Sequence, residues 1–289
     1  MNFYTWLLSN GLTLRSSLEH EKNIQRFAAW AEQENYTNIL HLNYNELLGY
    51  MQHLKAKELK PQTINIRLIS ITKYYDYLKE QGAREDNPAR RLRVRKPGKR
   101  IIKDVIPLEQ LETLYRQYIQ RGKNKEVKHK LSYQRNVLIL GMMIYQGIHS
   151  GELRKMELQD INITEGSIYI PATSRSNSRT MKLQALQIIP VNSYLNEVRE
   201  KLNPRENELI PGNVNNIINW LIGELKNIDP QIKNAAQIRA SVIMHWIKLY
   251  NIRQVQYLCG HKHISSTERY KEEDLEGLQK QLNKYHPFG

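Results

Sequence analysis

At 289 residues, with 43 Lys and Arg against 29 Asp and Glu, a formal charge of +14 and a pI near 9.6, the chain has room for one large or two modest domains and favours a polyanionic partner. Its one cysteine, Cys259, excludes an intrachain disulfide and a thiolate zinc centre. Met1–Leu8 lacks the charged start and long apolar core of a leader peptide, and no window reaches membrane-spanning length, so the expectation is a soluble cytoplasmic protein.

Residues 1–92 read as a helical bundle. Ile24, Phe27 and Ala31 share one side of a helix from about Ser16 to Gln33, and another helix spans about Asn43 to Lys57. A third begins near Pro61, a residue suited to a first helical turn, and carries Ile64, Leu68, Ile71, Tyr75 and Leu78 along one face. Gly82 and Asn87-Pro88 end the bundle, and residues 93–105 form a basic linker. Arg90, Arg91, Arg93, Arg95, Lys96, Lys99, Arg100 and Lys103 follow with no acidic residue among them. Such a run is either a solvated tether or a phosphate-backbone contact, and its place between two basic domains favours the contact.

Residues 106–289 form the second domain, whose first helix starts at Pro107-Leu108. Val137–Tyr145 is apolar on most sides and should be the domain's buried spine. Ser167–Ile170 reads as a strand, with Arg179–Leu183 as its partner across a Ser/Asn-rich turn. The remainder is helical, including a helix that opens at Ile238-Arg239 and carries Ile243, Trp246, Ile247 and Tyr250 as an apolar stripe. The expected class is mostly α: an N-terminal helical bundle plus a larger, mainly helical domain with a small β-hairpin or sheet.

Near the end of the chain, Gly260-His261 is followed nine residues later by Tyr270, a spacing that suits a nucleophile beside an imidazole. Ser265 and Glu268 stand at capping-box spacing, which would start a short helix and fix the direction of the phenol. Metal-free cleavage of a phosphodiester needs an oxygen nucleophile, cations on the non-bridging oxygens and an acid for the leaving alkoxide. Arg239, His261 and Tyr270 supply that order. No carboxylate cluster accompanies the basic segments, and His261-Lys262-His263 is a weak metal motif, so neither metal nor cofactor is expected. The plain structural alternatives are a surface carboxylate partner for Arg239, a core position for His261, and packing roles for His245, Trp246 and Cys259.

This order of residues resembles that of the tyrosine recombinases, the phage integrase family, and the resemblance covers nearly the whole chain. The bundle ending in Asn87-Pro88-Ala89 is similar to the family's core-binding domain, Tyr145–Leu153 to its first catalytic box, and Gln237–Tyr270 to its second. The resemblance implies that Tyr270 attacks double-stranded DNA to give a 3′-phosphotyrosyl link and a free 5′-hydroxyl. Reversal onto another strand then completes exchange without ATP or metal. Arg239 would be the phosphate clamp and His261 a hydrogen-bonding partner of the transition state. It further implies a homo-tetramer or other oligomer on DNA, nucleoid association, and a C-terminal helix bearing Leu275, Leu278 and Leu282 that docks on a neighbouring subunit or on its own domain.

The chain departs from the family pattern at three places. His149 stands where the first box has an arginine, and an imidazole offers no fork of donors. Ala236 stands where the second box has a histidine. The hairpin lysine that protonates the leaving oxygen is matched most nearly by Arg175, or by Lys182 if the hairpin register differs. Three functions stay open at this point: a site-specific recombinase or integrase, a catalytically impaired recombinase-like DNA-binding accessory protein, and a type IB topoisomerase. The compact N-terminal bundle favours the first.

Overall fold

The computed structural model describes residues 1–95, 104–122, 127–205 and 207–270, and the chain divides into two compact units, residues 1–100 and 101–289. Lys96, Lys99, Arg100 and Lys103 of the basic run, and the leucines of the expected terminal helix, lie outside the described residues.

The first unit contains α1 (Phe3–Ser9), α2 (Leu14–Gln33), α3 (Tyr44–Ala56) and α4 (Pro61–Glu80). Pro61 occupies the first turn of α4, where its missing N–H costs nothing. The Asn43 side chain accepts from the N–H groups of Asn45 and Glu46, and Glu46 reaches back to the Asn43 N–H, a complete capping box for α3. Helix α2 starts two residues before the expected Ser16 because Thr13 provides its cap. Helix α1 was not legible as a separate element; Trp6 and Leu7 bury it, and the Trp6 indole donates to Glu80 at 2.6 Å. Phe27, Leu47, Tyr50, Ile64, Leu68, Ile71 and Tyr75 form the core, each worth roughly 1.5–3 kcal/mol on full burial.

The bundle reaches further along the chain than residue 92. Leu92 is buried, Val94 packs on the core, and the Asn65 side chain both donates to the Val94 carbonyl and accepts from its N–H, at 2.9 and 2.8 Å. In this extended strap the side chains alternate, so Arg91, Arg93 and Arg95 are exposed while Leu92 points inward. Arg90 is also exposed, with Asp76 3.3 Å away.

The second unit runs α5 (Leu108–Arg121), α6 (Val127–Tyr145), α7 (Ser150–Leu153), β1 (Ile161–Asn162), β2 (Ser167–Ile170), β3 (Arg179–Lys182), α8 (Ala185–Ser193), α9 (Val214–Lys226), α10 (Ala235–Leu249) and α11 (Ile252–Cys259). A last helical stretch, 265–270, carries Tyr270. The strands form an antiparallel sheet in the order β1-β2-β3, with Ser167 opposite Lys182 and Ile170 opposite Arg179. Residues 137–144 of α6 are all buried and form the spine against which α5, α8, α9 and α10 pack. Asn234 caps α10 at Ala235, so Arg239 lies in the second turn of that helix, not at its opening. The mostly α class with a small sheet matches the sequence expectation, β1 being too short to leave a periodic signal.

Candidate active site

The hairpin loop between β2 and β3 docks on the turn after α11. Asn177 N–H donates to the Gly260 carbonyl at 2.8 Å, and Ser176 forms a β-bridge with His261. Within the loop, Thr173 accepts from the N–H groups of Arg175 and Ser176, a local turn that fixes its course. Gly260 ends α11 at φ +66°, the left-handed cap geometry that favours glycine. A Cβ there would lie 2.5 Å from Nη1 of Arg179, so the motif glycine also makes room for a guanidinium.

That guanidinium belongs to a buried cluster. Glu152, on α7, has no exposed side-chain surface, and neither has Arg179. Arg179 donates to Glu152 through Nη1 at 2.7 Å and Nη2 at 3.4 Å, a forked contact. Arg239 approaches the same carboxylate, Nη1 to Oε2 at 3.5 Å, while Nη1 also donates to the Gly147 carbonyl and Nη2 to the Cys259 carbonyl at 2.7 Å. Burial acts to raise the Glu152 pKa, but the Arg179 hydrogen bond and the charges of Arg179 and Arg239 outweigh it and hold the carboxyl below its usual range. Arg239 keeps 15% of its side chain exposed, so among the described residues it is the member of this trio that reaches the surface. Its partners are two carbonyls and a buried carboxylate, not a surface acid. Cys259 is buried, its thiol pushed up to about 12 mainly by that burial, which leaves it inert.

His149 occupies the N-cap of α7. Its Nδ1 accepts from Gly151 N–H at 3.0 Å, and its own N–H donates to Glu152 Oε2 at 3.1 Å. The ring folds back over its own helix because residue 151 is glycine; a Cβ there would sit 2.9 Å from the imidazole. With Nδ1 accepting, Nε2 carries the ring proton and stands 3.6 Å from Glu152 Oε1. Burial lowers the His149 pKa, Glu152 opposes the shift, and Arg239, Arg179 and Arg175 add to it.

His261 and Tyr270 stack with ring centroids 6.1 Å apart and an interplanar angle of 20°. His261 Nδ1 pairs with the hydroxyl of buried Thr267 at 2.8 Å, so Thr267 sets the ring direction and Nε2 is the nitrogen left for other partners. Burial, then Arg239 and Arg179, take the His261 pKa down to about 4, so the ring is neutral at pH 7. The helical stretch starts at Ser265 itself, not after a Ser265 cap as the spacing suggested; the Glu268 N–H bonds the Ile264 carbonyl, and Thr267 is the side chain tied to the site.

The fold therefore brings Arg239, His261, Tyr270 and His149 into one neighbourhood. Arg175 is exposed on the docked loop, close enough to depress the His149 pKa. Lys182 is exposed on the face of β3 opposite Arg179, and what it gives the core is its carbonyl, which accepts from Gln146 at 2.9 Å. In the observed register, strand alternation directs Lys182 away from the Arg179 side. Arg90, Arg91, Arg93 and Arg95 belong to the first unit. Sequence reasoning missed Arg179 and left Glu152 without a role. A signal existed: on a strand whose alternate residues Met181 and Leu183 are apolar, Arg179 shares the inward face.

Comparison with known proteins finds two family models in tandem. The model described as "Phage integrase family" matches residues 104–276, and that described as "Phage integrase, N-terminal SAM-like domain" matches residues 3–82. The tyrosine recombinase XerC of Oceanobacillus iheyensis is 23% identical over 282 residues, 93% of this chain and 88% of that protein. The TnP I resolvase of Bacillus thuringiensis is 21% identical over 197 residues, 67% of this chain and 65% of that protein. Among solved structures, XerH recombinase bound to a palindromic difH substrate, a post-cleavage complex, superposes with a TM-score of 0.73 at 15% identity, over 93% of this chain and 79% of that chain. The Tn1549 transposon integrase in complex with circular intermediate DNA gives 0.64 at 15% identity, over 96% and 98% of the two chains.

Proposed function

The chain belongs to the phage integrase family, and from that membership we propose that it is an active site-specific tyrosine recombinase that cuts and rejoins double-stranded DNA through Tyr270. Similarity to recombinases along both units supports site-specific recombination over the accessory-protein and topoisomerase readings. The observation that carries the catalytic reading is the Tyr270 ring stacked on a neutral His261, within one cluster with Arg239.

In the forward step the Tyr270 oxygen forms a bond to the scissile phosphorus while the P–O5′ bond breaks. The phenol gives up its proton and the leaving 5′-oxygen takes one up, so the strand is left as a 3′-phosphotyrosyl ester and a free 5′-hydroxyl. Arg239 stabilises the charge on the non-bridging oxygens, and His261 Nε2 and His149 Nε2–H stand beside it as hydrogen-bonding groups. Arg175 adds a positive charge from the loop but holds its proton too tightly to be an efficient acid. Attack by a 5′-hydroxyl of another strand reverses the step and completes the exchange. The exposed arginines 90, 91, 93 and 95 hold the phosphate backbone, and assembly on DNA is oligomeric. A nicked suicide substrate bearing a site selected by binding tests this: covalent adduct accumulates with the wild-type chain and is absent with Tyr270→Phe. Specific binding with no Tyr270-dependent adduct would return the accessory-protein reading.

A further inference from the structure

We propose that Arg179 is a positioning residue for strand transfer: by satisfying the buried carboxylate of Glu152 from behind, it leaves the charge of Arg239 free for the scissile phosphate. The inference rests on the reading of Tyr270 and Arg239 as the strand-transfer site.

Glu152 is fully buried and ionised, and it has two arginines within reach. Arg179 is committed to it. Both of its terminal nitrogens face the carboxylate, its Nε has no partner among the described residues, and it has no exposed surface of its own. Arg239 differs, because two backbone carbonyls hold it, it stands 3.5 Å from the carboxylate, and it retains an exposed edge. Together the three groups carry one net positive charge, and Arg239 is the member that presents it. Without Arg179 that net charge vanishes, and the carboxylate has only Arg239 to recruit. A fully buried ion pair is seldom the most stable filling for a core position, so stability alone is a weak reason for Arg179 and Glu152 to occupy it. Arg179 also lies on the hairpin whose loop bridges to His261, and it passes through space that Gly260 leaves open. One side chain thus couples the first box, the hairpin and the Gly260-His261 turn.

Rescue by a second substitution separates positioning from simple structural support. The full-length wild-type chain, Arg179→Met and Arg179→Met/Glu152→Gln are compared by adduct rate on the suicide substrate, by thermal unfolding, and by titration with inorganic phosphate followed through the His149 and His261 ring NMR signals. Arg179→Met should lower the adduct rate about a hundredfold, the order expected for losing one preorganised cation, and abolish the phosphate response. The double variant, which removes both charges and so restores the net positive charge, should return to within roughly tenfold of wild type by the same reasoning and recover the phosphate response. A single variant that keeps its adduct rate and its phosphate response overturns the proposal. So does a double variant as inactive as the single one despite a wild-type melting temperature. If the wild-type chain binds phosphate at these histidines yet forms no adduct, the strand-transfer reading fails, while the positioning role is decided by the phosphate response of the two variants.

Discussion

The α10–α11 side of the site and the α7–hairpin side each contribute an arginine to Glu152, but they treat it in opposite ways. Arg239 is held by the carbonyls of Gly147 and Cys259 and keeps an exposed edge, whereas Arg179 is sealed against the carboxylate with no exposed surface. On the first side the cation reaches the surface; on the second it neutralises a buried acid. His149 stands on the second side and spends its Nδ1 on capping α7.

Substitutions that break this comparison can be ranked by expected effect. Tyr270→Phe should abolish adduct formation while leaving the dissociation constant for site DNA within about twofold, since DNA affinity comes mostly from backbone charge. A gel-shift titration beside the cleavage assay checks both. Arg239→Met should slow adduct formation about 10²–10³-fold, the usual consequence of removing one preorganised stabilising group, and single-turnover cleavage would read it.

Gly260→Ala tests whether the two sides meet at that turn. The left-handed backbone alone costs roughly 1–2 kcal/mol, and displacement of the Arg179 guanidinium adds to it. Calorimetry should show a fall of about 4 °C or more in Tm, with cleavage falling alongside. His149→Arg should sharpen the contrast in the other direction, raising the cleavage rate by about tenfold as the fork of donors returns, at a cost of about 1 kcal/mol from the lost α7 cap. An unchanged rate with an intact melting temperature would mean that the phosphate does not reach residue 149.

The smallest effect concerns pH. His149 and His261 are both held neutral below their ordinary pKa, so the unfolded chain binds more protons than the folded one in acid. Stability is thus fully present above pH 6.5 and declines as pH falls toward about 4, the value for His261. His261→Gln should flatten part of that decline in denaturant titrations run at several pH values.

Much of the fold was written in local signals. Pro61 and the Ile64–Leu78 stripe marked α4, the all-apolar run marked α6, and the two strands pair as the sequence suggested. The second-box residues were legible because Gly260-His261 and Tyr270 stand close together in the chain, and a cap, a turn and a short helix convert that spacing into geometry. Arg179 and Glu152 were harder to read because they lie 27 residues apart, on elements whose meeting depends on tertiary packing. At Ser265 the capping-box spacing points one residue past the observed helix start, and it is Thr267 that holds the link to His261. An arginine-rich strap reads as linker in sequence, because the packing of Leu92 and Val94 against the core is a tertiary contact.

The most direct test maps the covalent bond itself. Adduct trapped on a nicked suicide duplex is digested with protease and nuclease, and the nucleotide-bearing peptide is sequenced by mass spectrometry. The account predicts one modified residue, Tyr270, joined to the 3′-phosphate of the cleaved strand, with a free 5′-hydroxyl on the released fragment. A bond to another residue, a 5′-phosphate linkage, or specific binding with no bond at all would contradict it.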